Sequence, residues 1–152
     1  LKVFTFMSRA EIEEYERQVA EEPFKRAAQK RLALEVTTLV HGAAAAQGAI
    51  DASEALFGRG DLTALDEQTL RGAVSELPQA TGTVGALVTQ LMVEAGLVKS
   101  LGEARRAIAQ GGVYVNNAAV EAEDRALEAS DLLHGRYAVL RRGKKTLAGV
   151  RV

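Results

Sequence analysis

Ser100-Leu-Gly-Glu-Ala-Arg-Arg-Ala-Ile-Ala-Gln-Gly-Gly-Val-Tyr-Val-Asn-Asn-Ala-Ala-Val120 is the stretch that decides how this chain folds. The Ser100 hydroxyl can accept a backbone N–H at a helix start, and Glu103 stands at the reciprocal capping position. The spacing predicts a helix over 101–110 that buries Ala104, Ala107 and Ile108. Glu103, Arg105 and Arg106 must then project elsewhere. Gly111 and Gly112 stop the helix. Val113 and Val115 alternate with Tyr114, and Asn116-Asn117 suits a tight turn at positive φ, so 113–120 reads as a hairpin. A basic helix beside a hairpin can line one side of an RNA groove, because guanidinium groups bind phosphates bidentately and stack on bases. The competing reading pairs Arg105 or Arg106 with Glu103 or a neighbouring acid.

Outward from that stretch, Leu87, Leu91 and Ala95, with Val88 and Met92, mark one face of a preceding helix. Tyr137-Ala-Val-Leu140 and Leu147-Ala-Gly-Val150 read as strands joined by a basic turn, Arg141-Arg-Gly-Lys-Lys145. The expectation for 85–152 is two helices on a short, mainly antiparallel sheet. Leu77-Pro-Gln-Ala-Thr-Gly-Thr-Val-Gly85 has no period, so 77–84 reads as a linker and domain boundary. Residues 1–76 read as an α-helical bundle. Ser8 and Glu11 form a capping box for a helix over 9–20, and Pro23 fits a first helical position. Ala28, Leu32, Val36, Leu39 and Val40 give an apolar stripe on a helix also carrying Lys25, Arg26, Lys30 and Arg31. Gly42 reads as its cap, 43–57 as a third helix stopped by Gly58 and Gly60, and Asp66 as the cap of a fourth ending at Val74. The fold class is therefore α+β, a helical bundle followed by a small α+β domain.

Composition narrows the chemistry. The 152 residues are 47% hydrophobic but only 5% aromatic, so aliphatic side chains and Ala must build the core. With no Cys, disulfides and Cys-based zinc sites are excluded. Net charge is -1, yet its distribution is uneven. Residues 1–96 hold nine Lys/Arg and fourteen Asp/Glu, and residues 97–152 hold ten and six, so the second part suits a polyanion. There is no run of about 18 apolar residues to span a membrane. Leu1–Met7 is too short for a signal peptide and lacks an initiator Met, which suggests a chain cut from something longer. His41 and His134 each precede a glycine and have no local triad partner, so they read as helix-end or turn residues. No catalytic residue, metal site or cofactor is expected in this chain.

The pattern Ser-x-x-x-Ala-Arg-x-x-Ile-x-x-Gly-Gly-Val-x-Val-Asn from Ser100 resembles the RNA-binding domain shared with small-subunit ribosomal protein four, an S-four-like domain. Four further blocks are similar to the region following the catalytic domain in bacterial tyrosyl-tRNA synthetases. They are Leu1–Ile12, Ala27–Gly42 (ending Leu-Val-His-Gly), Ser53-Glu-Ala-Leu-Phe-Gly58, and His134-Gly-Arg-Tyr-Ala-Val-Leu-Arg-Arg-Gly-Lys-Lys145. Asn117 departs from the pattern, standing where many relatives have Gly, and Asn tolerates positive φ. The family's catalytic motifs are absent from these 152 residues.

The resemblance implies a tRNA-binding part of a tyrosine-tRNA ligase, inactive alone, whose full enzyme uses ATP and magnesium. Residues 1–76 would meet the anticodon region, with Lys25, Arg26, Lys30 and Arg31 towards the anticodon stem. Residues 85–152 would meet the long variable arm through Arg105, Arg106, Arg141, Arg142, Lys144 and Lys145, with Lys99 and Arg136 as weaker candidates. Implied partners are tyrosine tRNA and the enzyme's own catalytic domain, in a cytoplasmic homodimer; this fragment would be a monomer. The main rival is a stand-alone S-four-like RNA-binding protein of ribosome or RNA-rescue type. A pseudouridine synthase would need a catalytic domain not visible here, and a helical scaffold would show no salt-dependent RNA affinity.

Overall fold

A computed structural model describes residues 7–152, apart from the Phe24 side chain. The reading of Leu1–Phe6 and the start of the first family-like block lie outside the described residues. The chain divides into two compact units, 1–48 and 49–152.

The first unit is helical. α1 (Arg9–Glu21) opens on the expected box: the Glu11 N–H donates to Ser8 Oγ at 3.4 Å, and Glu11 Oε2 accepts the Ser8 N–H at 2.9 Å. Pro23 opens a separate 3-10 turn, Pro23–Lys25, and Arg26 takes a left-handed φ of 52°. α2 (Ala27–His41) begins only there, so Lys25 and Arg26 are not on the helix that carries Lys30 and Arg31. The expected stripe is not a buried seam. Val36, Leu39 and Val40 are 39%, 65% and 65% exposed, and no α1 or α2 residue is fully buried. Gly42 caps α2 as expected, its N–H donating to Thr38 O at 2.9 Å. α3 (Ala43–Leu56) spans the division between the units.

In the second unit, α3 ends in a Schellman arrangement. Gly58 has φ 78°, its N–H donates to Ala55 O, and the Arg59 N–H donates to Glu54 O at 2.8 Å. Asp66 caps α4 (Glu67–Ser75), accepting the Thr69 N–H at 2.9 Å. Residues 77–84, expected to be a linker, contain β1 (Gln79–Thr81), which pairs in parallel with β5. Then come α5 (Val88–Glu94), α6 (Leu101–Ala109), β2 (Val113–Val115), β3 (Ala118–Ala119), β4 (Tyr137–Arg142) and β5 (Thr146–Arg151). The sheet order is β1-β5-β4-β2-β3, with every pair but β1 and β5 antiparallel.

Strand alternation sends successive side chains of β4 and β5 to opposite faces. Ala138, Leu140, Ala148 and Val150 join a core with Val88, Leu91 and Met92 of α5 and Ala104, Ala107 and Ile108 of α6. Tyr137, Val139 and Leu147 join a second core with Ala52, Ala55 and Leu56 of α3 and Leu70 and Val74 of α4. Both faces are therefore covered, which explains why 137–140 and 147–150 are unbroken apolar runs. Each buried Val, Leu, Ile or Met side chain contributes about 1.5–3 kcal/mol, and each Ala about 0.8 kcal/mol. The second core is also why residues 49–76, read with the helical bundle from sequence, pack with the sheet. An N-terminal helical region followed by a mixed-sheet α+β unit agrees with the expected class.

Candidate nucleic-acid interface

The β2–β3 turn sets the frame. Asn116 and Asn117 take φ 46° and 68°, so both central residues of the turn are left-handed as predicted. The Asn116 amide donates to Asp131 O and accepts the Val139 N–H at 2.8 Å, so it fastens the hairpin to β4. Asn117 Nδ2 donates to Ala55 O at 2.7 Å, satisfying a carbonyl at the end of α3. Both side chains are structural. His134, at φ 50°, bonds through Nε2 to Leu65 O at 2.8 Å and serves as a turn residue.

α6 follows the expected pattern: Ala104, Ala107 and Ile108 are buried, and Arg105 and Arg106 face solvent. Its cap differs slightly. Ser100 Oγ accepts the Glu103 N–H at 3.2 Å, but Glu103 Oε2 accepts the Lys99 N–H, one residue earlier than expected. That bond, with Arg142 opposite, holds the Glu103 carboxyl below its ordinary range. Between α6 and the β4–β5 turn lies an open groove of about 490 Å³, lined by Glu103, Arg106, Gln110, Gly112, Arg142 and Gly143.

The six main basic residues are not equally available. Arg106 uses Nε on Gly102 O at 3.2 Å and has no carboxylate at ion-pair distance among the described residues. Arg105 is 3.9 Å from Glu123 and 60% exposed, an ion pair worth about 0–1 kcal/mol. Arg142 is engaged internally, donating to Leu97 O at 2.8 Å and pairing with Glu103 at 2.9 Å. Arg141 stacks over Tyr114, 4.0 Å from the ring centroid, and donates to Gly143 O. Lys144 and Lys145 are exposed, with no ion pair among the described residues.

Arg141 and Arg142 lie in β4 itself and point to opposite faces of the sheet. The expected single basic surface is thus two. Arg142 faces the α6 groove. Arg141, Lys144 and Lys145 line a second groove of about 740 Å³ with Ser53, Glu54, Phe57 and Arg59.

The weaker candidates differ in place: Lys99 borders the α6 groove through Glu103, and Arg136 does not. Arg136 precedes β4, 3.9 Å from Glu67, so the strand separates it from the turn by about 20 Å. Lys99 is exposed before the α6 cap. In the first unit Lys25 pairs with Glu22 at 2.7 Å, and Arg31 pairs with Glu35, leaving Arg26 and Lys30 without an ion pair among the described residues. Sequence reasoning missed Tyr114 as the platform for Arg141, although hairpin alternation already set it on the face opposite Val113 and Val115. Among the described residues no group of three or more His, Asp or Glu could hold a metal ion, and no helix is long and apolar enough to cross a membrane.

Comparison with known proteins gives consistent matches. Residues 69–149 match the family model of the tyrosine–tRNA ligase SYY-like C-terminal domain, and residues 1–58 match that of class I tRNA synthetases (W and Y). The tyrosine–tRNA ligase of Leifsonia xyli subsp. xyli is 62% identical over 151 residues, covering 99% of this chain and 34% of that protein. That of Streptomyces coelicolor is 54% identical, covering 100% of this chain and 36% of the relative. A solution structure of a tyrosyl-tRNA synthetase C-terminal domain is 31% identical, with 60% of this chain and 94% of that one covered at a TM-score of 0.47. The chain thus spans about a third of the length of these curated relatives.

Proposed function

Since this chain belongs to the family of tyrosine–tRNA ligase SYY-like C-terminal domains, we propose that it binds transfer RNA and positions it for an active site carried elsewhere in a tyrosine–tRNA ligase. One observation carries this reading. The α6 groove has Arg106 on one wall and the β4–β5 turn on the other, and beyond the turn Lys144 and Lys145 line the second groove; none of the three has a carboxylate partner among the described residues. Such cations take phosphate at little cost, because no ion pair must be broken first. Arg105 joins them by giving up a weak pair with Glu123.

The groove meets the backbone of the long variable arm and its adjoining stem, while the helical region to residue 76 meets the anticodon region. There Arg26 and Lys30 are the readiest contacts, and Lys25 and Arg31 are secondary. Phosphate contacts set register, and bases are read where they are unpaired. Binding energy is spent on orientation, so that the acceptor end reaches a distant reaction centre. The whole protein then attaches tyrosine to its tRNA with ATP and magnesium, in the cytoplasm, as a homodimer. This chain's own residues supply binding and none of the chemistry.

The test is equilibrium binding to unmodified tyrosine tRNA transcript at several salt concentrations, with a serine tRNA as comparison. The expected result is preference for the tyrosine tRNA and a log–log salt slope of roughly -3 to -5. Arg105→Ala/Arg106→Ala weakens binding and lowers the slope. Absence of binding to either RNA refutes the reading, and equal binding to both reduces it to a general RNA-binding module.

A further inference from the structure

The second groove beside the β4–β5 turn has a composition unlike the first. Phe57 lies just past α3 and is 44% exposed, in a chain whose aromatic content is 5%. Arg59 nearby is exposed to solvent, and Lys144 and Lys145 share the groove's lining. Arg141, held against Tyr114, also lines it. Glu54 is the one acid in this lining, against four cations. The volume of about 740 Å³ falls within the range of small-ligand sites.

Resting on the RNA-binding reading above, we infer that this groove holds an unpaired nucleotide, its base stacked on Phe57 and its flanking phosphates on Arg59, Lys144 and Lys145. The Schellman cap at Gly58 fixes where α3 ends and so presents the Phe57 ring at the groove. The Asn117 bond to Ala55 O holds that helix end against the hairpin, so the platform is set before any ligand arrives. A half-exposed aromatic ring flanked by cations suits a base face and a phosphate together. A paired stem presents no free base face, so this groove selects single-stranded RNA, whereas the α6 groove takes backbone phosphates of either form. The turn then divides its labour: Arg142 and Gly143 serve one groove, and Arg141, Lys144 and Lys145 the other.

The test compares the full chain with Phe57→Ala, Phe57→Tyr and Lys144→Gln/Lys145→Gln. The probes are a single-stranded oligoribonucleotide, a fully paired hairpin and tyrosine tRNA. Phe57→Ala should weaken single-strand binding roughly five- to hundred-fold with no change in salt slope, because the ring carries no charge. Phe57→Tyr should restore it, and hairpin binding should be unchanged in both. The lysine variant should instead lower the slope, by roughly 1.4 for the two charges removed. If Phe57→Ala binds the single strand as wild type does while tyrosine tRNA is still bound, the nucleotide site is refuted and the proposed function stands. If the wild-type chain binds no RNA, both fall. Polyglutamate competing as well as single-stranded RNA of equal charge also overturns the site, because it reads charge alone.

Discussion

Gly149 sits in β5 opposite Val139, and a β-carbon built there would lie 2.3 Å from Val74 Cγ1 of α4. Gly149→Ala therefore tests whether α4 is seated on the sheet. Val74 cannot easily turn away, since a valine in a helix has one strongly preferred rotamer. The helix itself must move. Overpacking of this kind costs about 1–3 kcal/mol. Replacing a strand glycine returns about 0.5–1 kcal/mol, leaving a net loss of about 1–2 kcal/mol. Val74→Ala alone removes two methyl groups from a side chain that is 3% exposed. That costs about 2 kcal/mol, cavity included. Independent effects would sum to about 3–4 kcal/mol. In the double variant the clash disappears and the methyl added at position 149 fills part of the vacated space, so the loss should be only about 1–2 kcal/mol. Native-state hydrogen exchange at β4 and β5 amides reads this unit separately from the first. Additivity within about 0.5 kcal/mol would refute the seating of α4 on β5.

Three other outcomes follow from the same geometry. Asn116→Ala should cost about 2–4 kcal/mol, because it leaves the Val139 N–H and the Asp131 carbonyl without their partner and places alanine at φ 46°; urea unfolding measures it. Lys144→Ala/Lys145→Ala should leave stability within about 0.5 kcal/mol and lower the salt slope of RNA binding, whereas Arg142→Ala should also destabilise the fold by breaking its bonds to Leu97 and Glu103. The folded Glu103 carboxyl titrates below its ordinary 4.5, so its contribution is complete above that pH and disappears as pH falls through the lower folded value. Glu103→Gln should flatten stability against pH in that acid window, and an unchanged acid titration would contradict the assignment.

How far the sequence could be read depended on the range of the forces involved. The α6 helix and the β2–β3 hairpin were legible because their determinants are local: Ser100 at the cap, Gly111-Gly112 at the stop, Asn116-Asn117 in the turn. β1 was not, because in Gln79-Ala-Thr only Ala80 is buried, and the strand depends on pairing with β5 some seventy positions later. The same holds for α4, whose helix was legible from Asp66 but whose seat on the sheet requires the face made by Tyr137, Val139 and Leu147. The break at Arg26 has no local signal beyond Pro23. In the candidate interface the basic residues were legible as types. Their availability was not, since it turns on Leu97, Glu103 and Tyr114, partners brought in by tertiary packing.

Arg141 and Arg142 are neighbours in the chain and strangers in space. A substitution tolerated at one says nothing about the other, because each answers to a different partner, Tyr114 for the first and Glu103 for the second. A single-residue deletion in β4 ahead of them would turn each to the other face of the sheet, putting Arg142 beside Phe57 and Arg141 at the buried position of Leu140. Such a change would leave the chain's charge count nearly intact while scrambling both surfaces, so drift in this family should preserve the parity of β4 more strictly than its basic character.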